Sequence, residues 1–341
     1  MEVPMIDPQA RRVRESGLAL RMPFDARMNP EVDRAHHASL AWGRSIGLLP
    51  DARALRAFSE ARFARLTARA YPTAPLEHLL VVAQWNVWLF AHDDGCDATA
   101  SGRDPDALVA LYRELGGILH GGRPRATASV AERAFADVIP RIFARASASW
   151  RERFTAAVDG YLAACVWEAT NRVRQCVPSL EDYVEWRRDS GAVRTSIALV
   201  EVCERIDLDD EIIALPEVQA LADACNDVVC WTNDIFSFPK ERAEGDTHNL
   251  VMVLEHHRCP GDLEHAAAWA ADMCNARVDD FVVMADDLPG FGDEVDRELD
   301  RFVDTLRARM RGNFDWAQES GRYPIEALTD EDVERAAVSS D

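Results

Sequence analysis

One nine-residue stretch, Asn233-Asp234-Ile235-Phe236-Ser237-Phe238-Pro239-Lys240-Glu241, carries more information about this chain than any other. It places Asn233, Ser237 and Glu241 at positions i, i+4 and i+8, which share one face of an α-helix with a drift of ~40° per step. Their amide, hydroxyl and carboxylate oxygens are hard donors that suit Mg²⁺ or Mn²⁺ rather than Zn²⁺. Lys240 is the only lysine in the chain, and an ammonium beside a metal site is a point-charge partner for a phosphate group.

A second acidic cluster follows a long apolar run earlier in the chain. Asp93, Asp94 and Asp97 come directly after the run from Leu79 to Phe90. If the helix continues, Asp93 and Asp97 lie one turn apart and can bind one metal ion or a neighbouring pair. For this cluster alone, a helix end capped by solvated aspartates remains an alternative. The two clusters together predict a polynuclear metal site for a diphosphate, because closely spaced carboxylates need cations to neutralise them.

The composition excludes several function classes. A net charge of -21 and a pI of about 4.8 argue against binding to nucleic acid or to an anionic membrane surface, since both need a basic face. The eight cysteines form no Cys-x-x-Cys pair, and neither a signal-peptide core nor a run of 18 apolar residues occurs. We therefore expect a cytoplasmic protein with no membrane span, whose cysteines are small buried hydrophobes.

The rest of the pattern is helical and lacks strand-like alternation. Pro140 falls inside one candidate helix and is expected to kink or split it. We predict an all-α bundle of ten or more helices, with an extended arm at 1–30, one helical domain at 31–324 and a flexible acidic tail at 325–341. The candidate helices span 32–47, 51–70, 75–93, 105–119, 128–146, 149–175, 179–189, 192–205, 215–241, 261–286 and 293–319.

These motifs resemble those of bacterial class I terpene synthases, also called terpene cyclases. The run Phe90-x-x-Asp93-Asp94-x-x-Asp97 is similar to the aspartate-rich motif of that family, and the stretch from Asn233 to Glu241 matches its second metal motif in full. The resemblance covers about residues 20–325. It implies the class I terpenoid synthase fold, a single-domain helical bundle around a central active-site cavity.

The resemblance also implies a metal set. Three Mg²⁺ ions, for which Mn²⁺ can substitute, are expected at Asp93, Asp94, Asp97, Asn233, Ser237 and Glu241. Asp93 would bind two of them, with Asp94 and Asp97 helping directly or through water. Ala98 stands where many relatives carry a glutamate, which leaves the roles of Asp94 and Asp97 open.

Further residues resemble the diphosphate-binding set of the family. Arg187 lies 46 residues before the second motif and is similar to the diphosphate-sensor arginine, with Ser190 as linker and Gly191 as effector at a helix break. Ser190 departs from the aspartate or threonine expected there. The diphosphate-binding residues that the resemblance implies are Arg187, Lys240, Arg322 and Tyr323.

An allylic cation needs a dry cavity with aromatic walls, because aromatic faces stabilise cations without attacking them. Phe90 lies one turn before Asp94, and Trp316 aligns with Tyr323, so both are predicted to face the cavity, with simple core packing as the alternative. Trp85 and Trp88 point away from Phe90 and are predicted to pack in the core. The predicted cavity-lining residues are Phe90, Trp316, Asn226, Val229 and Cys230.

The function that the resemblance implies is Mg²⁺-dependent ionisation and cyclisation of a linear prenyl diphosphate, with release of diphosphate. The C15 substrate farnesyl diphosphate is the first expectation, and C20 geranylgeranyl diphosphate is the alternative. A prenyl-elongating synthase would need a second Asp-Asp-x-x-Asp motif where this chain has Asn, Ser and Glu. A non-catalytic scaffold that binds metal or a partner remains a further alternative. A small-molecule substrate and a homodimer are the expected partners.

Overall fold

The structure is a computed structural model described over residues 20–100, 102–144 and 146–323. These ranges contain fourteen α-helices and no strand, which confirms the all-α prediction. Residues 20–30 of the predicted arm contain neither helix nor strand, whereas residues 1–19 and the predicted tail lie outside the described residues. The helices are α1 (Val32–Ile46), α2 (Ala52–Ala61), α3 (Phe63–Ala70), α4 (Leu76–Ala98), α5 (Pro105–Leu119), α6 (Val130–Phe143), α7 (Ala148–Arg174), α8 (Leu180–Ser190), α9 (Val193–Glu204), α10 (Asp210–Ile213), α11 (Pro216–Glu244), α12 (Leu250–His257), α13 (Leu263–Asp286) and α14 (Asp293–Glu319).

Side-chain caps set several helix starts close to where the sequence predicts them. Asp51 accepts hydrogen bonds from the backbone N–H groups of Arg53 and Ala54 at the start of α2. Ser129 and Glu132 form a reciprocal capping box at the start of α6. Such caps satisfy the backbone donors that the first turn of a helix leaves unpaired, so local chemistry fixes where these helices begin.

Both metal motifs lie within the last turns of their helices. The helix predicted to stop at residue 93 continues to Ala98, so Asp93 and Asp97 occupy positions one turn apart on α4. The helix predicted to stop at residue 241 continues through Pro239 to Glu244. Each motif is therefore presented on a regular helical face, as the i, i+4 spacing requires.

The helices differ from the predictions at three places. The helix predicted at 51–70 is split into α2 and α3 at Arg62, which adopts a left-handed φ of 54°. Pro140 does not split α6, which ends three residues later at Phe143, and the predicted kink stays a prediction. The short helices α10 and α12 were not predicted, since four and eight residues are too few to show a helical period.

The core forms around α11, which packs most extensively against α13 and α14. Every residue from 224 to 232 in α11 is buried, so this helix is enclosed on all sides. Trp85 and Trp88 stack with ring centroids 5.1 Å apart and are fully buried beside Phe135, which confirms their predicted core role. The enclosure of α11 gives the second metal motif a rigid support.

The described helices contain none that combines the length and apolarity needed to cross a membrane. The eight cysteines are free thiols, and all except Cys176 are buried. The prediction that they act as small buried hydrophobes is therefore confirmed for seven of the eight.

The end of α14 is attached to α3 through one carboxylate. Glu319 accepts hydrogen bonds from Arg65 at 3.0 and 3.1 Å and from Arg69 at 3.1 and 3.3 Å. Burial disfavours the charged carboxylate, but the two guanidinium groups outweigh this effect and lower the pKa of Glu319. This contact holds the chain just before Arg322 and Tyr323.

We predict that Glu319→Gln lowers the free energy of unfolding by about 1 kcal/mol, because it weakens a partly solvent-screened pair of charge-assisted hydrogen bonds. The stabilisation is present above the ordinary carboxyl pKa of 4.5 and is lost as the pH falls through the lowered pKa of Glu319. Thermal unfolding at pH 7 and pH 3 measures both effects. The matched control is Glu152→Gln at an exposed site on α7, and equal losses in the two variants would contradict the assignment.

Candidate active site

A cavity opens in the middle of the helical bundle, between α4, α7, α8, α9, α11 and α14. It contains most of the residues singled out in the sequence, from four separate regions of the chain. The predicted site residues that line it are Phe90, Asp93, Arg187, Ser190, Gly191, Val229, Cys230, Asn233, Lys240, Glu241, Trp316, Arg322 and Tyr323.

Two of the three predicted ligands of the second metal motif, both on α11, face the cavity. Asn233 and Glu241 line the cavity, whereas Ser237 is buried between them and donates a 3.5 Å hydrogen bond to the carbonyl of Asp234. Burial and the neighbouring carboxylates of Asp234 and Asp246 raise the pKa of Glu241 to about 7. A carboxyl group in such surroundings is stabilised in its charged form by a nearby cation.

Asp234 is the buried anchor of this region. Its carboxylate accepts hydrogen bonds from the Tyr183 hydroxyl, from Nε and Nη2 of Arg187 at 3.1 and 2.7 Å, and from the backbone N–H of Leu250 at 3.2 Å. The residue is fully buried. One carboxylate thus joins α8, α11 and α12, and it holds the guanidinium of Arg187 against the metal motif.

Arg187 connects the metal motif to the helix break. Its Nη2 also donates to Oδ1 of Asn233 at 3.2 Å, and its Nη1 donates to Oγ of Ser190 at 3.5 Å. Burial alone would favour loss of its proton, but the charge of Asp234 more than offsets this and raises the pKa of Arg187. A permanently charged donor is therefore fixed at the cavity wall.

Glycine is required at position 191 because there is no room for a Cβ atom, and not because of its backbone φ angle. Gly191 has an ordinary φ of -69°, whereas the next residue, Ala192, adopts a left-handed φ of 55°. A Cβ atom added to Gly191 would lie 2.4 Å from Sγ of Cys230 on α11. Glycine at this position lets α8 and α11 approach closely beside the cavity.

Arg322 occupies the space between the two acidic regions. Its Nη2 lies 3.2 Å from Oδ2 of Asp93 and 2.9 Å from Oδ1 of Asp94, and its guanidinium lies over the Phe90 ring at 5.0 Å. The hydroxyl of Tyr323 accepts a 2.6 Å hydrogen bond from Nδ2 of Asn233. The Arg-Tyr pair therefore connects the motif on α4 with the motif on α11. The Asp97 side chain lies outside the described part of the structure.

The donor set fits hard divalent cations. Within the described residues, no three His, Cys, Asp or Glu side chains converge on one point. The candidate oxygen ligands instead are an amide, a hydroxyl and one carboxylate on α11, and Asp93 and Asp94 on α4. Mg²⁺ accepts such mixed oxygen ligands and commonly shares them with substrate phosphates, so the residues present suit that ion.

An aromatic wall lies below the charged mouth. Phe90 stacks on Phe63 with ring centroids 3.9 Å apart, and Trp316 lies 5.8 Å from Phe90. Trp316 is fully buried, and its indole N–H donates to the carbonyl of Ala61 at 2.8 Å. With that polar group satisfied, the ring presents only its apolar surface to the cavity.

One predicted wall residue is misplaced. Asn226 is fully buried behind Cys230 and is not among the residues that line the cavity. Its Nδ2 donates to the carbonyl of Arg188 at 2.8 Å, and its Oδ1 accepts from Sγ of Cys230 at 3.2 Å. The helical spacing placed Asn226 on the correct side of α11, but the last turn of α8 packs against it.

The segment after the second metal motif contributes residues that the sequence reasoning missed. Asp246 and His248 line the cavity and share a 2.9 Å hydrogen bond. Burial disfavours the charged Asp246, but His248 and Arg172 outweigh it and lower the pKa of Asp246. A run of polar residues directly after the helix stop at Gly245 was the available signal.

Asn249 supports the metal motif from the same segment. It is fully buried, and its Nδ2 donates to Oε2 of Glu241 at 2.8 Å and to the carbonyl of Asp234 at 2.7 Å. Its Oδ1 caps α12 by accepting from the N–H of Val251 at 2.9 Å. Asn249 therefore fixes the orientation of the Glu241 carboxylate and the start of the next helix together.

Known proteins are similar to this chain in sequence and in fold. The family model described as terpene synthase family 2, C-terminal metal binding, matches residues 84–280. The chain is 37% identical over 303 residues to (+)-T-muurolol synthase of Roseiflexus castenholzii, whose name specifies cyclisation of (2E,6E)-farnesyl diphosphate, and the match covers 88% of this chain and 92% of that protein.

Two further comparisons agree. Germacrene A synthase of Nostoc punctiforme is 33% identical over 304 residues, with 89% of this chain and 94% of that protein covered. The crystal structure of linalool/nerolidol synthase from Streptomyces clavuligerus has a TM-score of 0.79 at 25% identity, covering 87% of this chain and 99% of that one. All three of these proteins are named as synthases of terpene products.

We predict that Asn249→Ser weakens divalent-cation binding about ten-fold, because the serine keeps the helix cap but cannot orient Glu241. Titration with Mn²⁺, with free Mn²⁺ measured by electron paramagnetic resonance, gives the affinity. The control is Asn275→Ala, which removes an amide that accepts from the Arg21 N–H far from the cavity. Unchanged Mn²⁺ affinity in Asn249→Ser would show that Asn249 only caps the helix.

Proposed function

Because this chain belongs to the terpene synthase family, we propose that it is a class I terpene cyclase that ionises farnesyl diphosphate and releases a cyclic sesquiterpene and diphosphate. The observation that carries the proposal is the pair of oxygen-rich helical faces, on α4 and α11, that meet at the mouth of one enclosed cavity. Basic donors stand between these faces, and an aromatic wall lies beneath them.

The diphosphate would be bound at the mouth of the cavity. Arg187, Lys240 and Arg322 line this region and supply positive charge, and the Tyr323 hydroxyl supplies a further donor. Three Mg²⁺ ions, held by Asp93 with Asp94 and Asp97 and by Asn233, Ser237 and Glu241, would supply the Lewis acidity that stabilises the leaving diphosphate. Preorganised donors favour C–O heterolysis because the charge on the leaving group grows in the transition state.

Binding of the metal ions and the diphosphate would require Arg322 to exchange its partners, from the carboxylates of Asp93 and Asp94 to the phosphate oxygens. In the structure its guanidinium forms ion pairs with both Asp93 and Asp94. These carboxylates must turn toward cations before they can act as ligands, and the freed guanidinium then meets the phosphate oxygens. A charge swap of this kind keeps the buried groups paired before and after substrate binds.

The hydrocarbon chain would fold against the lower cavity. Phe90 and Trp316 offer aromatic faces to the allylic cation, and neither can attack it as a nucleophile. The cavity lies between six helices. Water that reached the cation would capture it early, so the proposed reaction requires water to be excluded once substrate is bound. Loss of a proton or capture of one water molecule ends the sequence and sets the product.

Farnesyl diphosphate is preferred over a C20 substrate because the muurolol synthase relative is named for that substrate. We further propose that the enzyme acts in the cytoplasm, where free cysteines such as those found here are kept reduced. A homodimer is our expectation for the quaternary structure.

The proposal is tested by incubating the purified protein with Mg²⁺ and, separately, with C10, C15 and C20 prenyl diphosphates. Gas chromatography–mass spectrometry of the extracts should show a cyclic C15 product from farnesyl diphosphate. A chelator should abolish it. A cyclic C20 product alone would replace the proposed substrate with geranylgeranyl diphosphate.

Two variants separate chemistry from folding. Asn233→Ala removes one proposed metal ligand and should lower turnover at least ~100-fold, as expected for the loss of an interaction made mainly in the transition state. Asn275→Ala, outside the cavity, should leave turnover unchanged.

Two other outcomes would indicate the alternative functions. Longer linear diphosphates, seen only with added isopentenyl diphosphate, would indicate an elongating synthase. Absence of turnover and of Mg²⁺-dependent diphosphate binding would leave a non-catalytic scaffold.

A further inference from the structure

The far end of the cavity holds a buried guanidinium that the proposed chemistry does not use. Arg309 lies on α14, ten residues before the end of that helix at Glu319, which corresponds to ~15 Å along the helix axis. Its side chain lines the cavity and the residue is only 7% exposed. The diphosphate donors Arg322 and Tyr323 stand at the opposite end.

The partners of Arg309 are few and neutral. Its Nη1 donates to the Tyr71 hydroxyl at 3.3 Å, and the guanidinium lies 5.8 Å from the centre of the Tyr71 ring. That hydroxyl in turn donates to the carbonyl of Ser196 at 2.6 Å. The Nε of Arg309 is buried and has no hydrogen-bond partner in the described ranges.

The other arginines that line the cavity are all paired with carboxylates. Arg187 pairs with Asp234 at 2.7 Å, Arg172 with Asp246 at 2.8 Å, and Arg322 with Asp94 at 2.9 Å. Arg309 has no carboxylate within 4 Å among the residues that the structure describes, although the chain carries 59 acidic residues. Its positive charge is therefore uncompensated at the wall of a cavity proposed to hold carbocations.

A purely structural role accounts poorly for this arrangement. A buried charge without a counter-ion destabilises the folded state, and an apolar side chain of similar length would fill the same space without that cost. The separation along α14 places Arg309 away from Arg322 and Tyr323, the proposed diphosphate donors that follow the end of that helix. What the guanidinium does provide at this position is a fixed positive potential.

We propose that Arg309 is a specificity-determining residue that disfavours positive charge at the far end of the cavity and so confines the carbocation to the aromatic end. This inference rests on the proposed cyclase function. Like charges repel more strongly in a dry cavity than in water, because little solvent screens them. The cation would then remain near Phe90 and Trp316 and near the released diphosphate, and late proton loss would occur on that side.

Three substitutions of Arg309 distinguish the effect of its charge from the effect of its size. Arg309→Met and Arg309→Gln remove the charge with different polarity, whereas Arg309→Lys retains a cation. The product profile from farnesyl diphosphate should shift in the Met and Gln variants, with at least one product rising or falling several-fold, and should stay close to wild type in the Lys variant. Equal shifts in all three variants, or none in the Met variant, would overturn the proposal.

A binding measurement tests the same claim without turnover. The probes are a C15-sized cyclic tertiary amine, which is cationic at pH 7, and its neutral carbon isostere, each titrated in the presence of Mg²⁺ and inorganic diphosphate. The ratio of their affinities should favour the cationic probe about ten-fold more in Arg309→Met than in wild type. An unchanged ratio would contradict repulsion by Arg309.

The melting temperature of the Arg309→Met variant tests whether Arg309 has only a structural role. Arg309→Met should leave the melting temperature unchanged or raise it, because an unpaired buried charge is removed. A lower melting temperature with an unchanged product profile and probe ratio would assign Arg309 a structural role alone. Absence of any product from the wild-type protein would refute the cyclase function itself, whereas a wild-type product with an unchanged Met variant would refute only this inference.

Discussion

The contact between Asp234 and Arg187 is the interaction on which the site depends. It is buried, it ties α8 to α11, and through the N–H of Leu250 it also fixes the start of α12. Breaking a buried ion pair by removing one partner typically costs about 3–5 kcal/mol, because the remaining charge stays buried without a counter-ion. The Nη2 atom of Arg187 that donates to Asp234 also donates to Oδ1 of Asn233. One carboxylate consequently sets the positions of Arg187, which we propose binds the diphosphate, and of the proposed metal motif on α11.

Charge is distributed unevenly along the cavity. The mouth carries carboxylates balanced by guanidinium groups, the middle is aromatic, and the far end carries the unpaired charge of Arg309. This order suits a reaction that creates an anion and a cation together. In the proposed reaction the anion would remain among donors and cations, and the carbocation would lie beside the aromatic faces of Phe90 and Trp316. Neither end needs to change its charge during the reaction, since the groups are held by their neighbours in advance.

The sequence predicts the parts of the site that follow from helical periodicity. Asn233, Ser237 and Glu241 share a face of α11 because their spacing matches the helical repeat, and Trp85 and Trp88 fall on the core side of α4 for the same reason. The family resemblance is also confirmed. What periodicity cannot supply is the relation between helices, which decides whether a residue on the correct face is exposed to the cavity or covered by a neighbour.

Asn226 and Asn249 illustrate that limit. Asn226 lies on the cavity side of α11, yet the last turn of α8 packs against it. Asn249 shows no periodic pattern in the sequence, but the turn after α11 brings it back against Glu241. The split at Arg62 was hidden as well, because arginine rarely adopts a left-handed conformation and neither glycine nor proline marks the position. The pairing of Arg322 with Asp93 and Asp94 joins residues more than 200 positions apart, beyond the reach of any local pattern.

The central claim is that α4 and α11 together hold divalent cations around a diphosphate. The most direct test is a crystal structure with Mn²⁺ and inorganic diphosphate, with the metal positions located by anomalous scattering. The account predicts anomalous peaks beside Asp93 and beside the Asn233, Ser237 and Glu241 oxygens, with Arg322 moved from the aspartates to the diphosphate. Peaks confined to one helix, or diphosphate bound with Arg322 still paired to Asp93 and Asp94, would contradict it.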